Sequence, residues 1–182
     1  MNHAAARRVG WTAFACFLAM IPLANWMIGN FGTVCPAGAP CLVPVAPGLM
    51  APSGVLTVGA ALVLRDVVQR CLGLRVSATA IVLGAALSAF IAPAALVAAS
   101  AAAFLLSELA DLAIYTPLQR KRLLAALLAS SIAGLVIDSV VFLWLAFGSL
   151  AFLPGQVVGK FWAVAISVPL VRVLRRVAPT PA

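Results

Sequence analysis

The chain has 182 residues, of which 65% are hydrophobic and only 9% are charged. A soluble domain carries about 25% charged residues, so a soluble fold could not bury this much apolar surface. The length allows about six membrane-spanning helices, because each needs about 20 apolar residues. We therefore expect one integral membrane domain over residues 1–182, surrounded by the lipid bilayer.

The formal net charge is +8, and the basic residues lie in short clusters between apolar runs. Such clusters orient a membrane protein, and no basic groove with interleaved aromatic residues indicates a nucleic-acid partner. The four cysteines show no CxxC spacing and His3 is the single histidine, so neither a metal site nor a cofactor is expected. Phosphate-binding loops, HExxH and GxSxG motifs are also missing, which argues against an enzyme.

The apolar runs predict an all-α membrane protein, a bundle of six transmembrane helices. In chain order they cover about 11–28, 50–68, 76–91, 95–118, 123–147 and 153–174. The first run lacks a small-x-small cleavage site and is expected to be retained. The Gly- and Pro-rich stretch 30–52 predicts an irregular outer loop, and the sequence leaves open whether its Cys35 and Cys41 form a disulfide. Pro93 predicts a tight turn between the third and fourth helices.

The basic residues provide a second test of this layout. With the N-terminus inside, eleven of the twelve Lys and Arg residues lie at the cytoplasmic side, and only Lys160 falls within a span. An odd number of spans would break this agreement. We therefore expect a multi-pass inner-membrane protein with both termini in the cytoplasm.

All four acidic residues, Asp66, Glu108, Asp111 and Asp138, fall in or at the edge of a predicted helix. An intramembrane carboxylate is costly unless it is paired, hydrated or protonated, so it marks a functional site by default. The alternative is charge pairing that only holds helices together. The acids therefore define where the chemistry of this chain should lie.

Helix geometry sorts the buried charges by depth. Asp138 and Lys160 both lie roughly 10 to 13 Å below the outer surface on consecutive antiparallel helices, which predicts an ion pair. Arg65, Asp66, Glu108 and Asp111 lie roughly 20 to 24 Å down. At that depth Arg65 can pair with Glu108 or Asp111.

The fourth predicted helix carries one face that is both aromatic and acidic. Phe104, Glu108, Asp111 and Tyr115 follow i, i+4, i+7, i+11 spacing. A carboxylate there can accept two hydrogen bonds from the N1–H and exocyclic amine of a guanine-type ring. The expected ligand is a small purine-like molecule, with stacking partners among Phe104, Phe142, Trp144 and Trp162.

Several stretches together resemble the VUT family of queuosine precursor transporters. They are Ala51-Pro-Ser-Gly, Leu64-Arg-Asp-Val-Val-Gln69, Phe104-Leu-Leu-Ser-Glu-Leu-Ala-Asp111, Ile114-Tyr-Thr-Pro-Leu118 and Ile137-Asp-Ser139 followed by Phe147-Gly148. The resemblance runs from about Pro47 to Pro169. It implies a six-helix fold related to the substrate-binding subunits of energy-coupling-factor transporters, and import of 7-cyano-7-deazaguanine or 7-aminomethyl-7-deazaguanine. The binding residues that it implies are Arg65, Asp66, Gln69, Glu108, Asp111, Asp138 and Lys160.

Two other functions stay open. One is an S-component-like vitamin-binding subunit that works only with an ATPase module, for which Ala15 and Ala19 offer a small-xxx-small docking pair. The other is a non-transporting membrane scaffold in which the acids serve helix association alone. A homodimer and a coupling subunit both stay open as partners.

Overall fold

The computed structural model describes residues 3–37, 40–91 and 96–167. Within these ranges the chain forms six α-helices and one antiparallel hairpin. The elements are α1 (His3–Asn30), β1 (Leu42–Ala46), β2 (Leu49–Pro52), α2 (Val55–Leu72), α3 (Leu74–Ile91), α4 (Val97–Leu118), α5 (Leu123–Phe147) and α6 (Leu153–Ser167). The predicted turn at Pro93 and the predicted end of the sixth helix near residue 174, with Arg172, Arg175 and Arg176, lie outside the described residues.

The observed helix bounds agree best with the predicted ones where the apolar run is longest. Helix α5 has the predicted bounds, whereas α1 begins eight residues earlier than residue 11, at His3. The predicted second helix, 50–68, is wrong at its start, because Leu49–Pro52 is a strand and α2 begins only at Val55. The chain therefore enters α2 from a hairpin.

The stretch 30–52 is a hairpin rather than the predicted irregular loop, and the bundle is not purely α-helical. Val43 and Ala51 are paired across the two strands, with Gly48 at positive φ in the turn. Val and Pro around a Gly-containing turn suit an extended pair better than a helix. Cys35 and Cys41 form a disulfide just before β1. The hairpin also docks on α6, since the indole N–H of Trp162 donates to the carbonyl of Val45 at 3.0 Å.

Four of the described helices, α1, α3, α4 and α5, are long and apolar enough to cross a membrane. Helix α2 contains three charged residues, and 15 residues of α6 are described. Large apolar side chains face outward, among them Phe90, which is 89% exposed. Lipid would cover such side chains. The chain is a multi-pass membrane protein, while the six-span layout stays a prediction.

Helix α2 lies at the centre of the bundle, in contact with α1, α3, α4, α5 and α6. Twelve of its eighteen residues are buried, including Arg65, Asp66 and Gln69. Gly59 allows a close approach to α6, since a Cβ there would lie 2.7 Å from the carbonyl oxygen of Lys160. The central position of α2 places its charged side chains inside the bundle.

The two ends of the bundle differ in chemistry. At one end a single residue, Gly73, connects α2 to α3 with a φ of 90°, which favours glycine. The start of α1 meets this end, where a Cβ on Gly10 would touch Leu72. Arg70, Arg75 and the run 120–122 lie here too, so we name it the basic end. The opposite end carries the hairpin and is named the hairpin end.

Candidate functional site

Arg65 is completely buried and contacts all three acids of the inner bundle. Its Nη1 lies 2.8 Å from Oδ1 of Asp66, and its Nη2 lies 2.5 Å from Oδ1 of Asp111. Its Nε donates to Oε2 of Glu108 at 3.1 Å. These four residues form what we name the Arg65 cluster. The prediction that Arg65 pairs with Glu108 or Asp111 is confirmed for both.

Helical spacing brings the Arg65 cluster together. Arg65 and Asp66 are consecutive on α2, and Glu108 and Asp111 lie one turn apart on the face of α4 that meets α2. A planar guanidinium with five donors can serve several carboxylates at once, which a lysine cannot do. The sequence therefore supplies one arginine at the point where three acids converge.

Gln69 and Tyr115 extend this polar layer toward the basic end. The carbonyl of Gln69 accepts from Nη1 of Arg65 at 3.1 Å, and its amide donates to the hydroxyl of Thr116 at 2.9 Å. The ring of Tyr115 lies 5.7 Å from Cζ of Arg65, within cation–π range. The hydroxyl of Tyr115 is buried and has no hydrogen-bond partner among the described residues.

The predicted pair of Asp138 and Lys160 is confirmed. Nζ of Lys160 lies 2.5 Å from Oδ2 of Asp138. The same ammonium group donates to Oγ of Ser139 at 2.8 Å and to Oε1 of Gln156 at 2.7 Å. All three of its protons therefore have acceptors, and α5 and α6 are joined by a satisfied buried pair.

A cavity of about 90 Å³ lies between the Arg65 cluster and the hairpin end. Its polar wall includes Glu108, Asp138 and Lys160, and its aromatic wall is formed by Phe104 and Phe142. Further polar or small lining residues are Asn25 on α1, Gly54 just before α2, Ser88 on α3, Ser107 on α4 and Gln156 on α6. The cavity offers carboxylate acceptors, a cation and aromatic surface to one small molecule.

The predicted site residues separate into two groups. Phe104, Glu108, Asp138 and Lys160 line the cavity. The others are absent from its wall, and those residues are Arg65, Asp66, Gln69, Asp111 and Tyr115. Glu108 links the two groups, since it lines the cavity and also accepts a hydrogen bond from Arg65. Direct ligand contact by the second group is therefore not supported by this geometry.

Of the four aromatic residues expected to stack on a ligand, two lie elsewhere. Trp144 and Trp162 are 61% and 49% exposed and do not line the cavity. Both lie on outward faces of apolar helices, where tryptophan suits the edge of a bilayer. The ring of Phe104 lines the cavity and also packs against Phe17, with ring centroids 5.9 Å apart.

The sequence analysis missed two polar residues of the cavity. Gln156 lies one helical turn before Lys160 and accepts from it, so i, i+4 spacing could have revealed it. Asn25 is an isolated amide within the first apolar run, and its amide group donates to the carbonyl of Ile21 at 3.0 Å. Amides inside a predicted span are therefore as informative as its acids.

Buried charged residues and long apolar helices with outward-facing apolar side chains define the chain as a multi-pass membrane protein. Residues 90–182 match the family described as "Putative vitamin uptake transporter". The chain belongs to this family. No curated protein and no solved structure matches the chain.

Proposed function

We propose that this protein imports the queuosine precursors 7-cyano-7-deazaguanine and 7-aminomethyl-7-deazaguanine across the inner membrane, and that the cavity binds the base. The observation that carries the proposal is the position of Glu108. This carboxylate lines an aromatic-walled cavity while Arg65 engages only its Oε2. Its second oxygen is then the acceptor for a ligand donor.

The chemistry of the cavity fits a guanine-type ring. Glu108 can accept from the ring N–H and the exocyclic amine, and Phe104 offers a face for stacking. Gln156 also lines the cavity, and because its oxygen accepts from Lys160, its amide N–H groups could donate a hydrogen bond to a ring carbonyl or a nitrile. The family match supports uptake of a small molecule, and the resemblance of residues 47–169 to queuosine precursor transporters supports this substrate class.

The cavity is small for such a ligand in the present conformation. Its volume of about 90 Å³ is below the roughly 150 Å³ of an engineered cavity that admits benzene. A bicyclic base therefore requires side chains at the wall to move. Met20 is the most adaptable residue of that wall, because its unbranched thioether changes rotamer readily.

Orientation in the membrane is part of the proposal. The basic end is placed in the cytoplasm, where lysine and arginine accumulate, and the disulfide-linked hairpin is placed outside, in an oxidising compartment. The cavity then lies on the outer side of the Arg65 cluster. Reporter fusions at His3 and Ala182 should both give a cytoplasmic signal, and a periplasmic signal from either fusion would contradict this layout.

The test of function is uptake in cells that cannot synthesise queuosine precursors and lack any other importer. With this chain present, supplied 7-cyano-7-deazaguanine should appear as queuosine in tRNA. Glu108→Gln should abolish this uptake while the protein is still inserted, because one acceptor oxygen becomes a donor. Normal uptake by the variant would show that Glu108 does not read the base.

A matched ligand control sharpens the same test. A deazapurine without the exocyclic amine should compete about 10- to 100-fold less well, because a hydrogen bond to a charged acceptor is worth about 1.5 to 3 kcal/mol. Equal competition by this analogue would argue against base reading in the cavity.

One observation supports the alternative function, a vitamin-binding subunit that works only with an ATPase module. Ala15 and Ala19 are both exposed on α1, so their small side chains are free to receive another helix. Purification of the chain with a bound ATPase pair would favour that function. Uptake by the chain alone in reconstituted vesicles would exclude it.

A further inference from the structure

The Arg65 cluster contains more acid than base. Three carboxylates surround one guanidinium, and Lys160 is already engaged by Asp138. If all three acids were ionised, two negative charges would remain without a partner in a region closed to solvent. Arg65, Asp66 and Asp111 have no exposed surface. Burial of uncompensated charge is strongly unfavourable, so the cluster is expected to bind a positively charged species.

The contacts distinguish the three acids from one another. Asp66 has both oxygens engaged, one by Arg65 and the other by Oγ of Ser130 at 3.1 Å. Glu108 is engaged by Arg65 and faces the cavity. Asp111 contacts Arg65 through Oδ1, while its Oδ2 is buried and accepts no hydrogen bond from the described residues. The hydroxyl of Ser130 donates its single proton to Asp66, although Ser130 also lies within reach of Asp111.

Tyr115 supplies a second and independent observation. It lies one helical turn beyond Asp111 on the same face of α4, toward the basic end. Its hydroxyl is fully buried and has no hydrogen-bond partner among the described residues. Because it is not hydrogen-bonded to either oxygen of Asp111, the hydroxyl must first move toward that carboxylate in order to pass a proton along.

We propose that Asp111 is a proton-binding site that couples substrate import to the proton gradient. The proton from water enters through the cavity past Glu108 and forms an O–H bond at Oδ2 of Asp111, converting the carboxylate to the acid. On release this O–H bond breaks, Tyr115 accepts the proton at its hydroxyl oxygen, and the original hydroxyl proton of Tyr115 passes to water at the basic end. One proton enters, one proton leaves, and no other reactant is consumed.

The groups around Asp111 favour a proton over a metal cation. Arg65 occupies the centre of the cluster and would repel a metal ion. Among the residues that the structure describes, no group of His, Cys, Asp and Glu is arranged to hold a metal. The charged or titratable side chains described on the packed elements are Arg65, Asp66, Arg70 and Cys71 on α2, Glu108 and Tyr115 on α4, Asp138 on α5, Lys160 on α6, Arg75 on α3, and Arg7, Arg8 and Cys16 on α1.

Coupling to the substrate follows from the proximity of Glu108 and Asp111. Both share Arg65, so a proton on Asp111 removes a neighbouring negative charge and makes an ionised Glu108 less costly. A ligand whose donors bind Glu108 requires that ionised form. Proton binding and ligand binding therefore favour each other, and by reciprocity each raises the affinity for the other. This coupling rests on the proposed function, whereas the proton site itself does not.

Infrared difference spectroscopy of the purified protein tests the proton site without any substrate. At neutral pH the wild type should show the C=O stretch of a buried, protonated carboxyl group, which shifts on exchange into deuterium oxide. Asp111→Asn should remove this band, and Glu108→Gln should retain it. Absence of the band from the wild type, or its persistence in Asp111→Asn, would overturn the proposal.

A second variant covers the case in which Asp111→Asn does not fold. Tyr115→Phe keeps the ring and the packing, so the band should remain while its exchange with deuterium slows at least tenfold. Unchanged exchange in Tyr115→Phe would exclude the proposed relay.

Proteoliposomes with a pH-sensitive dye inside test the coupling. A gradient in which the outside is more acidic than the lumen by about one pH unit should raise accumulation of 7-cyano-7-deazaguanine by up to about tenfold for one proton per substrate, and entry of the substrate should acidify the lumen. Substrate entry without acidification would refute the coupling. No substrate entry at all would contradict the proposed function, and the infrared band would still decide the proton site.

Discussion

The two buried charge sites of this bundle are close in space and opposite in balance. At the first, Lys160 meets a single acid, and its three protons all have acceptors. At the second, Arg65 meets three acids, and Oδ2 of Asp111 accepts no hydrogen bond from the part of the chain that the structure describes. Balanced pairs hold helices together, whereas an unbalanced cluster retains a capacity to bind something further. Glu108 lies between them, exposed to the cavity and bound to Arg65.

The largest expected effect is the loss of Arg65. Arg65→Met leaves three buried acids without a cation, and breaking even one buried pair costs about 3 to 5 kcal/mol. We expect almost no folded protein, measured as monodisperse material in detergent. Arg65→Lys should also fail, because one ammonium group cannot span three carboxylates.

Arg75→Met is the matched control, since Arg75 is exposed at the basic end. Arg75→Met should give a normal yield of folded, monodisperse protein in detergent. Normal folding of Arg65→Met would mean that the cluster carries enough protons to be neutral without its cation.

The balanced pair should behave differently, because it can be removed as a unit. Lys160→Met leaves Asp138 buried and unpaired and should cost about 3 to 5 kcal/mol. Lys160→Met with Asp138→Leu removes both charges and should cost less, although Ser139 and Gln156 lose a donor. Thermal unfolding in detergent measures both. Equal or additive losses would argue that the pair does not couple the two helices.

Much of this arrangement could be predicted from the sequence, because helical spacing and depth determine it. The pairing of Asp138 with Lys160 and of Arg65 with α4 follows from the rise per residue alone. The rise per residue does not predict which residues border the cavity, because Asp111 and Glu108 lie one turn apart and differ only in how α2 and α5 cover them. The hairpin was missed for another reason. Pro44, Pro47 and Gly48 indicate a break in helix, but strand pairing depends on the partner segment.

A smaller effect is expected at Gly84, which lies next to Phe104, a residue of the cavity wall. A Cβ there would lie 2.5 Å from Cζ of Phe104, so Gly84→Ala must displace the end of that ring. Overpacking costs about 1 to 3 kcal/mol, and the gain in helix propensity returns about 1 kcal/mol. The unfolding temperature should change little, while affinity for 7-cyano-7-deazaguanine falls. Unchanged affinity would show that Phe104 does not contact the base.

The smallest effect on stability is expected at Tyr115, and it separates a relay from a structural hydroxyl. Tyr115→Phe removes a buried hydroxyl that has no partner among the described residues, so no hydrogen bond is lost. Because an unsatisfied buried polar group costs about 1 to 3 kcal/mol, the variant should be as stable as the wild type or slightly more stable. Ser130→Ala is the contrasting control on the same cluster, since it deletes a hydrogen bond to Asp66 and should lower stability by about 1.5 to 3 kcal/mol. Both variants are compared by thermal unfolding in one detergent at one pH. A clear loss of stability in Tyr115→Phe would show that its hydroxyl is bonded within the bundle and is not free to carry a proton from Asp111.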